Sequence, residues 1–163
     1  MKLQKILSRF QKLHPKEIDL SLDRIKNLCK KLGDPQNKIK AISVVGTNGK
    51  NSTINAIFSI LKEANFNCNV YTSPHILKIN ERFIFNNKEL NDNDLADLFE
   101  EVENINDQKP ITLFEILTAC FFYQASKKVK GLLPFIFSTS SKSSINSSSF
   151  NSLLLKINLS LIF

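Results

Sequence analysis

Apolar residues recur at helical spacing over the first part of the chain. Leu3, Ile6, Leu7 and Phe10 line one side of residues 3–13. Leu22, Ile25, Leu28, Cys29 and Leu32 line one side of the segment that follows. This period predicts two amphipathic helices, the second stopped by Gly33 and Pro35. The pattern then changes. "AISVV" (41–45) is a continuous apolar run of strand length ending at Gly46. From about Asn51 to Ala64 the helical period returns, with Ile54, Ile57, Phe58 and Leu61 as the buried stripe. "CNVYT" (68–72) is a second strand candidate. Residues 41–72 therefore read as one strand–helix–strand unit, whose usual home is a parallel sheet.

A long connection follows, with one short extended piece, "RFIFN". Asn91 is placed to cap a helix running to about Ile105, whose first turn carries acidic residues where the helix dipole favours them. Thr112 and Glu115 have capping-box spacing at the start of a further helix, "TLFEILTACFFYQASKK". "LLPFIF" (132–137) has strand composition, but Pro134 restricts it to an edge strand or a non-strand. "STSSKSSINSSSFNS" (138–152) holds nine serines in fifteen residues and no acid, a composition that predicts disorder. The expected organisation is a partial α/β domain over 1–130 with an incomplete parallel sheet flanked by helices, and a divergent low-complexity tail over 131–163 that reads as disordered or as out-of-frame sequence. Only two or three strands of the sheet are legible. A large apolar face should then lack partners, which predicts marginal stability and self-association.

The chain has 163 residues, 42% hydrophobic and 23% charged, as a globular domain does. Its net charge of +7 raises the question of nucleic acid. The distribution answers it. All 15 acidic residues lie at or before Glu115 together with 17 of the 22 basic ones, so the excess sits mainly in the tail and makes no patch. No nucleic-acid partner is expected. Nor is a membrane partner: "MKLQKILSRFQKLHP" is not a secretory signal, and "LLLKINLSLIF" is too short and too interrupted by Lys156 to span a bilayer. Cys29, Cys68 and Cys120 lack metal-ligand spacing and read as reduced core thiols of a cytoplasmic protein.

The chemistry gathers at "SVVGTNGKNST" (43–53). A strand running through glycines into a helix presents backbone N–H groups and the positive end of the helix dipole to an anion. Gly46 and Gly49 permit tight turning, Lys50 has the reach for β- and γ-phosphates, and Ser52 or Thr53 offers a hydroxyl for Mg²⁺. The common spacing G-x-x-x-x-G-K-[ST] is not met. Val44 stands at its first position, and Ser52 is one residue late.

"VVGTNGKNST", "YTSPHILKINERFIFNNKEL" and "TLFEILTACFF", with "LHPKEIDLSLDRI" upstream, resemble the folylpolyglutamate and dihydrofolate synthases of the Mur ligase superfamily. The likeness covers roughly residues 10–128 in the family's order, and the Ser-Pro-His segment is its most specific part. "SPH" and "NERF" favour this folate branch over the peptidoglycan branch. The resemblance implies an ATP-binding domain, truncated here. It implies a ligase that joins L-glutamate to dihydropteroate or a folate through an acyl phosphate, with ATP and Mg²⁺ as cofactors. It implies ATP contacts at Thr47, Asn48, Gly49, Lys50 and Ser52, and Mg²⁺ at Ser73 and Ser52. It further implies a pterin site at Ile18, Asp19 and Leu20 and at Thr112, Leu113 and Phe114. From the residues alone, Asp19 is an N-cap, Thr112 a capping-box member and Ser73 a turn serine. His75 and His14 receive no catalytic role.

Two departures from the family stand out. Asn51 occupies a position where the family has glycine, which predicts weakened rather than abolished nucleotide binding. After the "TLFE" helix the family continues with a strand ending in a Glu-Val-Gly-Leu-Gly-Gly-Arg segment, whose glutamate is a further Mg²⁺ ligand. Here no Asp, Glu, His or Arg follows Lys130. The expectation is an N-terminal portion that is inactive as a ligase by itself. The alternatives are a noncatalytic nucleotide or folate binder, or another Mur-type ligase.

Overall fold

The computed structural model describes residues 2–13, 21–39, 41–46, 48–127 and 135–140. Ile18, Asp19, Leu20, Thr47, Pro134 and the tail beyond residue 140 lie outside them. The helices are α1 (Lys2–Lys12), α2 (Asp23–Lys31), α3 (Lys50–Glu63), α4 (Asp92–Asn106) and α5 (Leu113–Lys127). The strands are β1 (Ala41–Gly46), β2 (Asn69–Tyr71), β3 (Phe83–Phe85), β4 (Lys88–Glu89) and β5 (Phe135–Ser140). The caps expected at Asn91 and Thr112 are present, whereas the reading of Asp19 as the N-cap of the second helix is corrected: α2 starts at Asp23 with Leu22 at its N-cap. Asn91 Oδ1 accepts from the N–H groups of Asn93 and Asp94 at 3.0 and 2.9 Å. Thr112 Oγ1 accepts from the Glu115 N–H at 3.2 Å, while Glu115 Oε2 accepts from the Thr112 N–H at 2.9 Å.

The sheet runs β1-β5-β2-β3-β4. β5 is parallel to both β1 and β2, with Ile136 opposite Ile42 on one side and Val70 on the other. The edge or non-strand placement predicted from Pro134 is therefore corrected: β5 is interior. The ladder begins at Phe135, so the residue without an N–H precedes the first paired position. Ser138, Thr139 and Ser140, read as the start of a disordered tail, are also in this strand. Tertiary pairing decides here: residues 138–140 continue the parallel ladder with Val44, Val45 and Gly46 of β1.

The extended piece at 82–86 is half of a hairpin. Asn86 and Asn87 both have positive φ (51° and 64°), as a two-residue type I′ turn requires, and Phe85 pairs with Lys88 across it. The turn is fastened to the loop before β2. Asn87 Oδ1 accepts from the Cys68 N–H at 2.8 Å, and its amide donates to the Phe66 carbonyl at 2.9 Å.

The two faces of the sheet are unequal. Tyr71, Phe83 and Phe85 point into a large core built with α1, α2, α4 and α5. Val70 and Ile84 point the other way, toward α3, as strand alternation demands. α5 is buried on most sides, so its near-continuous apolar sequence suits a central helix. A chain of rings runs through the larger core. Phe10 meets Phe99 at 5.5 Å, Phe99 meets Phe83 at 5.4 Å, Phe83 meets Tyr71 at 5.5 Å, and Tyr71 meets Phe121 at 5.1 Å. Among the described residues, the core on the α3 side has Ile54 and Val70 buried, with Val44, Ile57, Phe58, Leu61 and Ile84 partly buried against them. Ile60 and Phe66 remain 68% and 50% exposed. The cysteines are buried free thiols; burial pushes Cys29 up to about 12.

Phe99 joins α1 to the sheet through two ring contacts. Phe99→Ala is expected to destabilise the fold by about 3–5 kcal/mol, the usual cost of emptying a buried aromatic site. The urea midpoint followed by circular dichroism checks this; an unchanged midpoint contradicts the central place given to this ring.

Candidate functional site

β1 delivers the chain to the carboxyl edge of the sheet at Gly46, and α3 begins four residues later at Lys50. Gly49 is the N-cap, with φ +75°. A Cβ there would meet open space, so glycine is required by the backbone conformation and not by crowding. Among the described residues no side-chain hydrogen bond caps α3, and its first turn carries no acid. The first-turn N–H groups and the helix dipole are thus directed at the loop, the arrangement that receives an anion. Thr53 Oγ1 donates to the Gly49 carbonyl at 3.0 Å. Ser52 is exposed on the first turn. Asn51 is inside α3 and exposed, with helical backbone, so the residue that replaces glycine imposes no left-handed strain.

β2 runs parallel to β1, so the segment after Tyr71 emerges at the same edge. It carries Ser73, which is buried and joined to Pro74 by a cis peptide bond. Ser73 Oγ accepts from Arg82 Nη1 at 3.3 Å, and Arg82 Nε donates to His75 Nδ1 at 2.8 Å. His75 must therefore keep Nδ1 unprotonated. Burial, and then the adjacent guanidinium, hold its pKa below the ordinary value. The loop is pinned by Glu81, whose carboxylate accepts from the N–H groups of Ile76, Leu77 and Lys78 at 2.8–2.9 Å. Neither Arg82 nor Glu81 is marked by periodicity or composition. The nearest sequence signal is their place in "NERF", a few residues after Ser-Pro-His.

Thr112, Leu113 and Phe114 open α5. The Thr118 hydroxyl lies 3.4 Å from that of Tyr71, so the first turns of α5 pack beside the end of β2. The same corner holds both flanks of the segment that contains Ile18, Asp19 and Leu20. The Ile111 N–H donates to the Leu13 carbonyl at 2.9 Å, and Arg24 Nε donates to Glu115 Oε2 at 3.1 Å. The structure thus brings the Gly49 loop, Ser73 and the start of α5 to one end of the domain.

These donors suit phosphate. Among the described residues no group of three or more His, Cys, Asp or Glu side chains could hold a metal ion. Ser52 and Ser73 offer hydroxyls only, which suits an ion that arrives with phosphate oxygens of its own. Among the described residues no helix is long and apolar enough to cross a membrane.

A glycine-turned loop between a parallel strand and an uncapped helix, at the carboxyl edge of the sheet, defines an α/β phosphate-binding domain; its solved neighbours are Mur-ligase-like. The relatives are more particular: curated proteins and solved structures similar to this chain are folylpolyglutamate and dihydrofolate synthases, and the likeness falls on the chain's N-terminal portion. The Bacillus subtilis dihydrofolate synthase/folylpolyglutamate synthase is 40% identical over 108 residues, 62% of this chain and 25% of that protein. The Escherichia coli enzyme is 35% identical over 109 residues, 67% of this chain and 26% of that protein. Escherichia coli FolC in complex with DHPP and ADP superposes with a TM-score of 0.74 at 30% identity, over 85% of this chain and 33% of its own. The Yersinia pestis bifunctional enzyme complexed with AMPPNP and Mn ion gives 0.76 at 29% identity, over 90% and 35%. The chain thus spans about a quarter of the length of these curated relatives. No protein-family model matches it.

The three amide hydrogen bonds, that from Ile76 first, hold the Glu81 carboxyl below its ordinary value of 4.5. A depressed folded-state pKa means the loop restraint is fully present above pH 4.5 and is lost as pH falls through the lower folded value. Protection factors of the Ile76, Leu77 and Lys78 amides in hydrogen exchange should fall across that window, and in Glu81→Ala they should be low at every pH. Unchanged protection in the variant contradicts the pinning.

Proposed function

We propose that this chain is the N-terminal, nucleotide-phosphate-binding portion of a folylpolyglutamate/dihydrofolate synthase. The lineage reaction joins L-glutamate to dihydropteroate or a folate: a pterin-substrate carboxylate takes the γ-phosphoryl group of ATP, and the glutamate amine displaces phosphate from the acyl phosphate. Phosphoryl transfer of this kind needs positioning and charge neutralisation rather than a protein nucleophile, and we assign no catalytic side chain. The observation that carries the reading is the uncapped start of α3 beside a left-handed Gly49, at the same sheet edge as Ser73.

In this reading Thr47, Asn48, Gly49, Lys50 and Ser52 hold the ATP phosphates. Mg²⁺ carried by the nucleotide meets Ser52 and Ser73, where it neutralises phosphate charge. The pterin substrate lies against Ile18, Asp19, Leu20, Thr112, Leu113 and Phe114; the ties from Leu13 and Arg24 to the start of α5 support that pairing. The protein works in the cytoplasm on small molecules. Residues after Lys130 contain no acidic side chain, so the chain by itself does not complete ligation. Its β1 edge, with Ile42 exposed, favours self-association, which sedimentation tests.

Calorimetric titration should detect Mg-ATP binding to the full chain. Lys50→Ala should weaken it about tenfold or more, the loss of a charge-assisted phosphate contact. Gly49→Ala should weaken it too, through the positive φ. Absence of binding to the folded wild-type chain removes the nucleotide reading.

A glutamate-incorporation assay with dihydropteroate, ATP and Mg²⁺ should give no turnover with this chain alone. Turnover there contradicts the assignment to a portion of the ligase.

A further inference from the structure

We propose that Arg82 is a phosphoryl-binding residue, its guanidinium contacting the terminal phosphoryl oxygens of a polyphosphate that extends from Gly49 toward Ser73. The inference rests on the nucleotide reading above and adds a residue to it. The chain has three arginines. Two are matched with carboxylates, Arg9 with Glu103 and Arg24 with Glu115. Arg82 is half-buried, yet its partners among the described residues are all neutral: His75 Nδ1, Ser73 Oγ and the Tyr71 hydroxyl. The adjacent carboxylate, Glu81, is turned onto the amides of residues 76–78. A partly desolvated guanidinium without a counter-charge is costly until an anion arrives, and its planar fork suits a phosphoryl group better than any other side chain does.

Placement agrees with chemistry. Arg82 meets Ser73 just past the end of β2, and the Gly49 loop lies just past the end of β1, with β5 between the two strands. Two strand spacings, about 10 Å, separate these points across the sheet. A triphosphate anchored at the start of α3 reaches that far only with its terminal group. His75 acts on this contact through Arg82: as a neutral acceptor it fixes the guanidinium and brings no competing charge. It is a positioning residue.

The test uses the full chain, with ATP, AMP and inorganic tripolyphosphate as probes in isothermal titration, each in Mg²⁺ and in EDTA. Arg82→Gln should weaken ATP and tripolyphosphate at least tenfold and AMP less than threefold, and Arg82→Lys should recover part of the loss. Equal ATP affinity in wild type and Arg82→Gln overturns the role of Arg82 and leaves the nucleotide reading standing. A wild-type chain that binds neither ATP nor tripolyphosphate overturns both. Should Arg82→Gln fail to fold by circular dichroism, the wild type decides: the Arg82 Nε resonance must shift on saturation with tripolyphosphate, and an unmoved resonance overturns the proposal.

Discussion

β1 and β2 never pair with each other; each pairs with β5. That parallel insertion is the constraint on which the molecule depends. It sets Gly46 opposite Ser140 and Tyr71 opposite Phe137, and so fixes the height at which the phosphate loop and the Ser73 segment leave the sheet. Parallel pairing needs long crossovers, so these contacts close loops of many residues and gain nothing from local structure. The strand that locks the site together comes from the chemically poorest part of the chain.

The helices respond to that sheet unequally. On one face a row of aromatic rings carries rigidity from α1 through α4 and β3 to β2 and α5. On the other, α3 buries Ile54 alone in full and keeps Ile60 exposed. The helix that presents amides to an anion is therefore among the most lightly packed, and segments with few buried contacts open at low free-energy cost. The Ser73 loop has the opposite design. It buries little, with Ile76 and Leu77 over 80% exposed, but Glu81 ties three of its amides.

In the proposed reading, recognition at the site is divided between backbone and side chain. At Gly49 it is assigned to main-chain N–H groups with Lys50 and Ser52, and Asn51 beside them already has helical backbone. At Ser73 it falls to side chains held in a small network of Arg82, His75 and Tyr71. The matched segment is about a quarter of the curated relatives' length, so substrates contacted by the remainder of those proteins lie beyond what these residues determine.

The sequence by itself determined the local elements: the helical stripes of α1 to α3, the Asn91 cap of α4, the Thr112–Glu115 box, and the strand–glycine–helix unit around Lys50. Each depends on neighbours within a few positions, so periodicity and capping chemistry carry it. The likeness to folylpolyglutamate and dihydrofolate synthases was legible for the same reason, because its motifs are short contiguous runs. Tertiary structure alone decided the rest. Pro134 and the serines of 138–140 argued against an interior strand, and two parallel partners outweighed them, since strand formation follows the neighbours more than the residue. Asn86–Asn87 became a hairpin turn once β2 offered β3 an edge. Arg82 acquired its meaning only when folding surrounded it with neutral partners and turned Glu81 away, a matter of distances that no pattern along the chain records.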